Sequence, residues 1–533
     1  MANIIIYGGG FAGVAAAAKA ASKAPSHEII LISPYPDDML GGIGTSGGQN
    51  YWDTMAWPKG QFTARGSFAY WHGVYPQHYG VNEMSKLLKV DSLGKYNNVS
   101  IYTGYDVSGF QTERNPYRLT SVTAKKIYRD TDGFIKWGAS QVTFNGAVFI
   151  DASDEGRLAR RVNSAVTVGR YDWPADKLDS VEQNNDFVAR QQAATLMFKM
   201  NGVNAKATAA GMHFSQSAKG VWGCWGGVNE YKNPQGRIVA FNNQHAPSGY
   251  MIKPVNAAQD GADSPQWWIN AFLVFGVDGR AHSRDEGSDF YPSNVVSGTK
   301  STDRAWTDAR LFLHRNRVQF ESAMRTFPGF ADASLVYSAG YPEVGSVLYI
   351  RETVHMAKTS TSRANGTEDQ NYAISSSASL NAGDEPGNGS DSSYHQTRVG
   401  LAMYSADIHP YKQTDLKYFS NFLWGAESWA KMRDDRPLTN PTRPQFPVYL
   451  PYACLTTNYV ANMLIPGYAT GVSSFSWGEV RVFPNLCVLG DAAGVAAAYS
   501  LNKGIPALEI GWSMTHVRAI QSDLYSIDAR LDK

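Results

Sequence analysis

Three glycines near the start of the chain, Gly8, Gly10 and Gly13, have the spacing GxGxxG. Each position does separate work in that pattern. The first permits a tight turn, the second lets the backbone reach a pyrophosphate, and the third lets a helix lie close on a strand. Phe11 and Ala12 stand between them, so their amides would open the helix that faces the anion. A second candidate is Asp407-Ile408-His409, where an imidazole with a carboxylate two residues before it can take up a proton near neutral pH. The competing reading is a structural histidine in the turn before Pro410. Arg351 beside Glu352 suits a carboxylate or a sugar, or else an internal ion pair. His72 stands amid Tyr70, Trp71 and Tyr75 and either faces a pocket or packs in a core. The three cysteines, Cys224, Cys454 and Cys487, form no CxxC pair, so neither a redox disulfide nor a metal site is expected.

These groups need elements to position them. Ile4 to Tyr7 is an apolar run that enters the glycine turn, and Val14 to Ala21 is nearly all alanine. Strand, turn and small-residue helix, followed by a second buried strand at Ile29 to Ile32, make a βαβ unit. The acid that usually holds a ribose should lie about twenty residues past the last glycine. Ser33 stands there, with Asp37 and Asp38 close enough in sequence to reach in from the loop. A second glycine-rich loop, GGIGTSGG, runs from Gly41 to Gly48. It repeats the GxGxxG spacing but follows no apolar strand, so it is not a second fingerprint. Residues 99–107, 117–128, 134–144 and 146–153 have strand character.

From about residue 165 the pattern changes. Aromatics are dense, and Trp222, Trp225, Trp267 and Trp268 either stack on a ligand ring or fill a core. Residues 359–393 are polar and read as a long mobile loop. Apolar strand signals return from Pro447 and lead to GDAAGVAAA. A chain of 533 residues exceeds one compact core, so at least two domains are expected. A net charge of +1 without a basic run argues against nucleic-acid binding. No stretch suits a membrane span, and a strand begins almost at once. A cytoplasmic protein is expected, and an exported one with its signal removed is also compatible.

Four stretches together resemble the FAD-dependent oxidoreductase family with a glutathione-reductase-like flavin fold, whose members are often labelled xanthan lyase. They are IIIYGGGFAGVAAA, GGIGTSGG, FIDASDEGRLA and the segment from residue 451 to 498. The resemblance implies an α/β fold: a Rossmann-like FAD-binding domain of the glutathione-reductase type with an inserted α+β substrate or cap domain. The expected boundaries are 1–165 and 441–533 for the FAD domain and 166–440 for the cap. The cofactor would be FAD, held by Gly8, Gly10, Phe11, Ala12, Gly13 and Ser33. Further contacts would come from Gly41, Gly42, Thr45, Ser46, Gly47 and Gly48, and from the turn at Asp151, Ala152 and Ser153. Asp491 would bond a ribityl hydroxyl, with Ala492, Ala493 and Gly494 opening a helix toward the flavin. The FAD is expected to be non-covalent; His72, by its place among Tyr70, Trp71 and Tyr75, either faces the pocket, tethers the flavin or packs in the core. The chain departs from the family pattern in having Asp154, Glu155 and Arg157 where Gly, Asp and Asp recur, and Tyr468 in place of an arginine.

The implied function is an oxidoreductase, dehydrogenase or oxidase, that moves hydride from a sugar, alcohol or amine to the flavin. His409 would be the base, oriented by Asp407, with Arg351 in the pocket. With only one dinucleotide fingerprint, electrons would leave to oxygen, a quinone or a protein. A homo-oligomer is compatible with the sequence. The alternatives are a flavin-fold scaffold without turnover and a flavin-dependent reductase or lyase.

Overall fold

A computed structural model describes residues 3–57, 61–162, 164–207, 211–358, 371–415 and 445–533. The βαβ start forms as its residues require. Strand β1 (Ile4–Tyr7) turns into helix α1 (Phe11–Lys23), which returns to strand β2 (Ile29–Ser33). Alanine has the highest helix propensity and adds little bulk, so α1 packs tightly and ten of its residues are buried. Helix α2 (Ser67–Val74) and strand β3 (Val99–Thr103) follow. An antiparallel meander comes next: β4 (Tyr105–Glu113), β5 (Arg118–Arg129) and β6 (Ile135–Asn145). Strand β7 (Val148–Asp151) then pairs with β1, on the side away from β2.

The strand Met463–Leu464 adds to β7 and completes a five-stranded sheet, parallel throughout, in the order Met463–Leu464, β7, β1, β2, β3. The twofold side-chain period of the strands separates two cores. Ile4, Ile6, Ile29, Leu31 and Ile150 pack with α1 and the C-terminal helix. Ile5, Tyr7, Ile30, Ile32 and Phe149 pack with Val107, Val122 and Phe144 of the meander. Burying each such aliphatic chain contributes about 1.5–3 kcal/mol.

The middle of the chain builds a seven-stranded antiparallel sheet. Its central strands are Tyr250–Gln259 and Trp267–Val274, and the helices Arg237–His245 and Thr302–Arg315 share its core. This is the α+β layer expected beside the parallel sheet. Trp267 and Trp268 are buried in it, whereas Trp225 is 62% exposed.

Two expectations change. Residues 371–393 are not a free loop: Ser375 caps a short helix, Ser376–Leu380, and Tyr372 and Ile374 are buried. The rest of that segment, 359–370, lies outside the described residues. The second correction concerns GDAAG, which does not open a helix. It lies in the middle of a 21-residue helix, Phe483–Lys503, with Pro484 in its first turn. That helix packs on α1, where Gly490 meets the carbonyl of Ala12 and Gly494 that of Ala16. Small residues serve here for close backbone approach.

Among the described residues no single helix is long and apolar enough to cross a membrane. The bent pair Ser474–Val480 and Phe483–Lys503 passes by composition, but its residues are almost all buried in the core.

Candidate active site

Gly8 and Gly13 have the tight turn and close packing that the spacing implied. Gly8 has φ +117°, and a Cβ on it would strike the backbone of Ala152 at 2.4 Å. Gly13 would strike the carbonyl of Gly8 at 1.8 Å, so helix and strand touch there. Gly10 differs from both. Its φ is −72°, which any residue adopts, and a Cβ would meet only the Tyr35 hydroxyl, at 3.4 Å. The protein therefore gives almost no internal reason for a glycine at this position. A ligand backbone passing close by gives one.

Helix α1 starts without a side-chain cap and without an acid in its first turn. Its first amides are left for an anion, which the helix dipole favours. Ser33 ends β2 fully buried, and its hydroxyl has no hydrogen-bond partner. That orphaned group stands where a ribose contact is expected. Asp37 and Asp38 do not supply the missing acid. Asp37 accepts from Ser46 Oγ at 2.8 Å and also from Ser346 Oγ, while Asp38 pairs with Lys89 at 2.7 Å.

The second glycine loop docks directly on the first. Gly41 N–H donates to the Gly9 carbonyl at 2.8 Å, and the Thr45 hydroxyl closes the loop on the Leu40 carbonyl. Gly47 lies against Gly345, and Gly48 under the Trp268 ring. Phe11 is buried between Trp52 and Phe483, so only its backbone is free for the cradle.

Asp151 and Ser153 serve the turn itself. The Asp151 carboxylate accepts from Ser153 N–H and Oγ and from Ala159 N–H. The departures beyond it form a buried ionic knot. Arg157 grips Asp285 with two bonds of 2.6 and 2.9 Å, beside Asp106 and Glu155.

Asp491 is also committed elsewhere. Its carboxylate accepts from Ser67 N–H at 2.8 Å and Ser67 Oγ at 2.5 Å, at the start of α2. These two bonds satisfy the first donors of α2 from another element of the chain. Ala492, Ala493 and Gly494 are buried mid-helix with it. At the end of the Met463–Leu464 strand it is Gly467 and Tyr468 that reach the turn after β7: Tyr468 N–H donates to the Ser153 carbonyl at 3.1 Å.

A second polar site gathers Asp407, His409 and Arg351 with residues the sequence did not flag. Arg481 donates to Asp407 Oδ2 at 2.8 Å and to the Tyr349 hydroxyl at 2.6 Å. His409 Nε2 faces Asp407 Oδ1 at 3.5 Å. Arg351 donates to the Ala193 carbonyl and Thr195 Oγ1 and lies over the Tyr349 ring. Lys253, from the cap sheet, donates to the Asn270 carbonyl at 2.9 Å, and Asn270 donates in turn to the Tyr51 hydroxyl. Asp53 accepts from Gln49 Nε2 at 2.9 Å, and Gln49 N–H is bonded to Ile43 in the second glycine loop. His72 is not brought here. It packs between Phe62 and Phe68 on α2 and lines a different hollow with Arg530 and Asp532.

Burial shifts these groups strongly. Burial and the neighbouring Asp407 push the Asp53 carboxyl up to about 6. Burial and Arg351 lower Lys253 to about 7 and His409 to about 3. Burial opposes charge on Asp407 as well, but His409, Arg481 and Arg351 outweigh it and hold the carboxyl well below its usual range. Asp53 also borders a cavity of about 600 Å³ with Tyr51, Trp52, Trp225, Asn256 and Tyr404. Among the described residues that line it there is no lysine or arginine.

A family model described as FAD dependent oxidoreductase matches residues 3–524. The chain belongs to this family. It is an enzyme of the FAD-dependent oxidoreductases, and its cofactor is FAD. No curated protein matches it. Among solved structures, the oxidoreductase is similar to the tetracycline destructase Tet(51), at 10% identity and TM-score 0.33 over 100% of this chain and 92% of that one. It is also similar to p-nitrophenol 4-monooxygenase PnpA from Pseudomonas putida DLL-E4, at 10% identity and TM-score 0.29 over 67% and 69%. Thermovibrio ammonificans THI4 matches at 11% identity and TM-score 0.22, over 31% of this chain and 63% of that one. Likenesses this distant carry no functional information. The open side of Gly10, the uncapped end of α1 and the orphaned Ser33 hydroxyl fit the oxidoreductase's FAD.

Proposed function

We propose that this oxidoreductase takes hydride from a small alcohol, sugar or amine held in the aromatic cavity beside Asp53. FAD, when bound, supplies the hydride acceptor. The protein's own task is then to position the substrate and take up the heteroatom proton. One observation carries the assignment: Asp53 combines a carboxyl poised at about 6, a face on the cavity and a tether through Gln49 to the glycine loop. Neither candidate from the sequence pair combines these. His409 is buried and held at about 3, so it is a weak base at neutral pH. Its place beside Asp407 makes it a positioning group for the Asp407–Arg481 pair. Arg351 and Arg481 fix Tyr349 between them. The single dinucleotide turn supports oxygen, a quinone or a protein as the final electron acceptor.

The test is anaerobic mixing of the yellow enzyme with panels of alcohols, sugars and amines, followed by loss of flavin colour. Asp53→Asn keeps the colour and slows bleaching by roughly 10²–10⁴-fold, whereas His409→Gln slows it less. Bleaching of Asp53→Asn at the wild-type rate, with His409→Gln inert, would return the base to His409.

A further inference from the structure

The side chain that faces the open flank of the glycine cradle is Tyr35, two residues beyond β2. Its hydroxyl lies 2.4 Å from the point where a Cβ on Gly42 would stand, and 3.4 Å from that point on Gly10. It therefore sits between the two glycine loops, which are themselves bridged at Gly10 and Gly41. The hydroxyl donates to Asp154 Oδ2 at 2.9 Å. Asp154 stands in the turn after β7.

We propose that Tyr35 is a phosphate-binding residue for the FAD of this chain, and that Asp154 competes with the phosphate for its hydroxyl. A phenol has one proton to donate. An anion drawn to the first turn of α1 beside Gly10 meets that O–H, and the carboxylate and the phosphate cannot both accept it. A hydrogen bond to a charged acceptor is worth enough to matter, about 1.5–3 kcal/mol, and two anions side by side repel. FAD binding thus has either to displace the Asp154 carboxylate or to protonate it.

The surroundings favour protonation. Glu155 and Asp151 face Asp154 from its own turn, Tyr35 from the β2 loop, and Tyr468 from the segment after Met463–Leu464. A cavity of about 80 Å³ adjoins both Tyr35 and Asp154, with Arg129, His282, Arg284 and Asp303 in its wall. The nearby basic groups have other partners: His282 bonds Glu155, Arg284 pairs with Asp106, and Arg129 donates to the carbonyls of Gly133 and Ser346. Burial, followed by Glu155 and Asp151, leaves the Asp154 carboxyl at about 6 despite the Tyr35 bond. Because this is above the ordinary carboxylate value, the neutral form prevails below about pH 6, and the competing charge appears as pH rises through it.

The experiment is titration of the flavin-stripped full chain with FAD, read as quenching of flavin fluorescence, at about pH 5.5 and about pH 8. Wild type should bind about tenfold more weakly at the higher pH. Asp154→Gly and the isosteric Asp154→Asn should bind at both pH values with equal strength, at least as tightly as wild type at the lower one. Tyr35→Phe should weaken binding at the lower pH by about tenfold or more. Circular dichroism of each stripped variant checks the fold, and Asp154→Asn carries the test if Asp154→Gly does not fold. A wild-type pH dependence that persists in Asp154→Asn overturns the proposal. So does a Tyr35→Phe chain that binds as tightly as wild type, or absence of FAD binding in every variant.

Discussion

Gly490 rests on the carbonyl of Ala12, so closely that a Cβ on it would lie 2.2 Å from that oxygen. One turn later a Cβ on Gly494 would lie 2.3 Å from the carbonyl oxygen of Ala16. The C-terminal helix is thus seated on the helix that presents the cofactor cradle. Gly494→Ala should push the two helices apart and cost about 1–3 kcal/mol in urea unfolding, with flavin content falling alongside. An unchanged unfolding midpoint would show that the contact is looser than the backbone positions imply.

Asp491, between those glycines, should behave as a helix cap. Asp491→Ala should lower stability by about 1–2 kcal/mol, the usual cost of losing a side chain that satisfies a helix start. FAD affinity under native conditions should stay within about twofold, since the carboxylate is bound to Ser67. A large loss of FAD affinity without loss of stability would restore the ribityl role.

The ionic knot around Arg157 is a second structural commitment. Arg157→Ala would leave Asp106, Glu155 and Asp285 buried without their shared cation. A cost of about 3–5 kcal/mol in chemical unfolding is expected, and Arg157→Lys should recover little of it, since the Asp285 grip is bidentate.

Glu479 sets a pH dependence of stability. It is buried, and burial raises its carboxyl to about 8. The unfolded value is near 4.3, so the folded chain keeps a proton that the unfolded chain releases. This contribution is complete below about pH 4 and is lost as pH rises through about 8. Between about pH 5 and pH 8.5 Glu479→Gln should lose less Tm than wild type, the slope that remains belonging to Asp53, Asp154 and Lys253. Parallel curves would remove Glu479 from the account.

The pH–rate profile of flavin reduction should carry the Asp53 signature. The base must be ionised, so the rate should rise with pH through about 6, and this limb should vanish in Asp53→Asn. A limb that survives that substitution would place the base elsewhere.

The sequence made the shape of the Gly8–Gly13 turn legible because glycines record backbone geometry. Gly8 and Gly13 are required by contacts within the chain, and Gly10 by space left beside it. GDAAG misled because small residues serve both a phosphate-facing turn and a close helix pair. Pro484 was the signal that could have separated them: proline favours the first turn of a helix, and this helix starts at Phe483, eight residues before Asp491. The polar site was legible only in part. Asp407, His409 and Arg351 stood out by residue type, with Tyr404 and Tyr349 close to them in sequence, but Asp53, Lys253 and Arg481 lie far from them along the chain. Only the packing of the cap sheet against the glycine loop joins them, and no local periodicity encodes that.

The central claim is that FAD sits on the Gly8–Gly13 turn, and flavin content of Gly10→Val tests it most directly. Gly10 has ordinary backbone geometry and only Tyr35 near its open side. Valine should therefore leave the fold intact by circular dichroism while its methyls fill the pyrophosphate space. The account predicts yellow wild-type protein and a folded, colourless variant. A folded Gly10→Val protein that purifies with the wild-type flavin absorbance would contradict it.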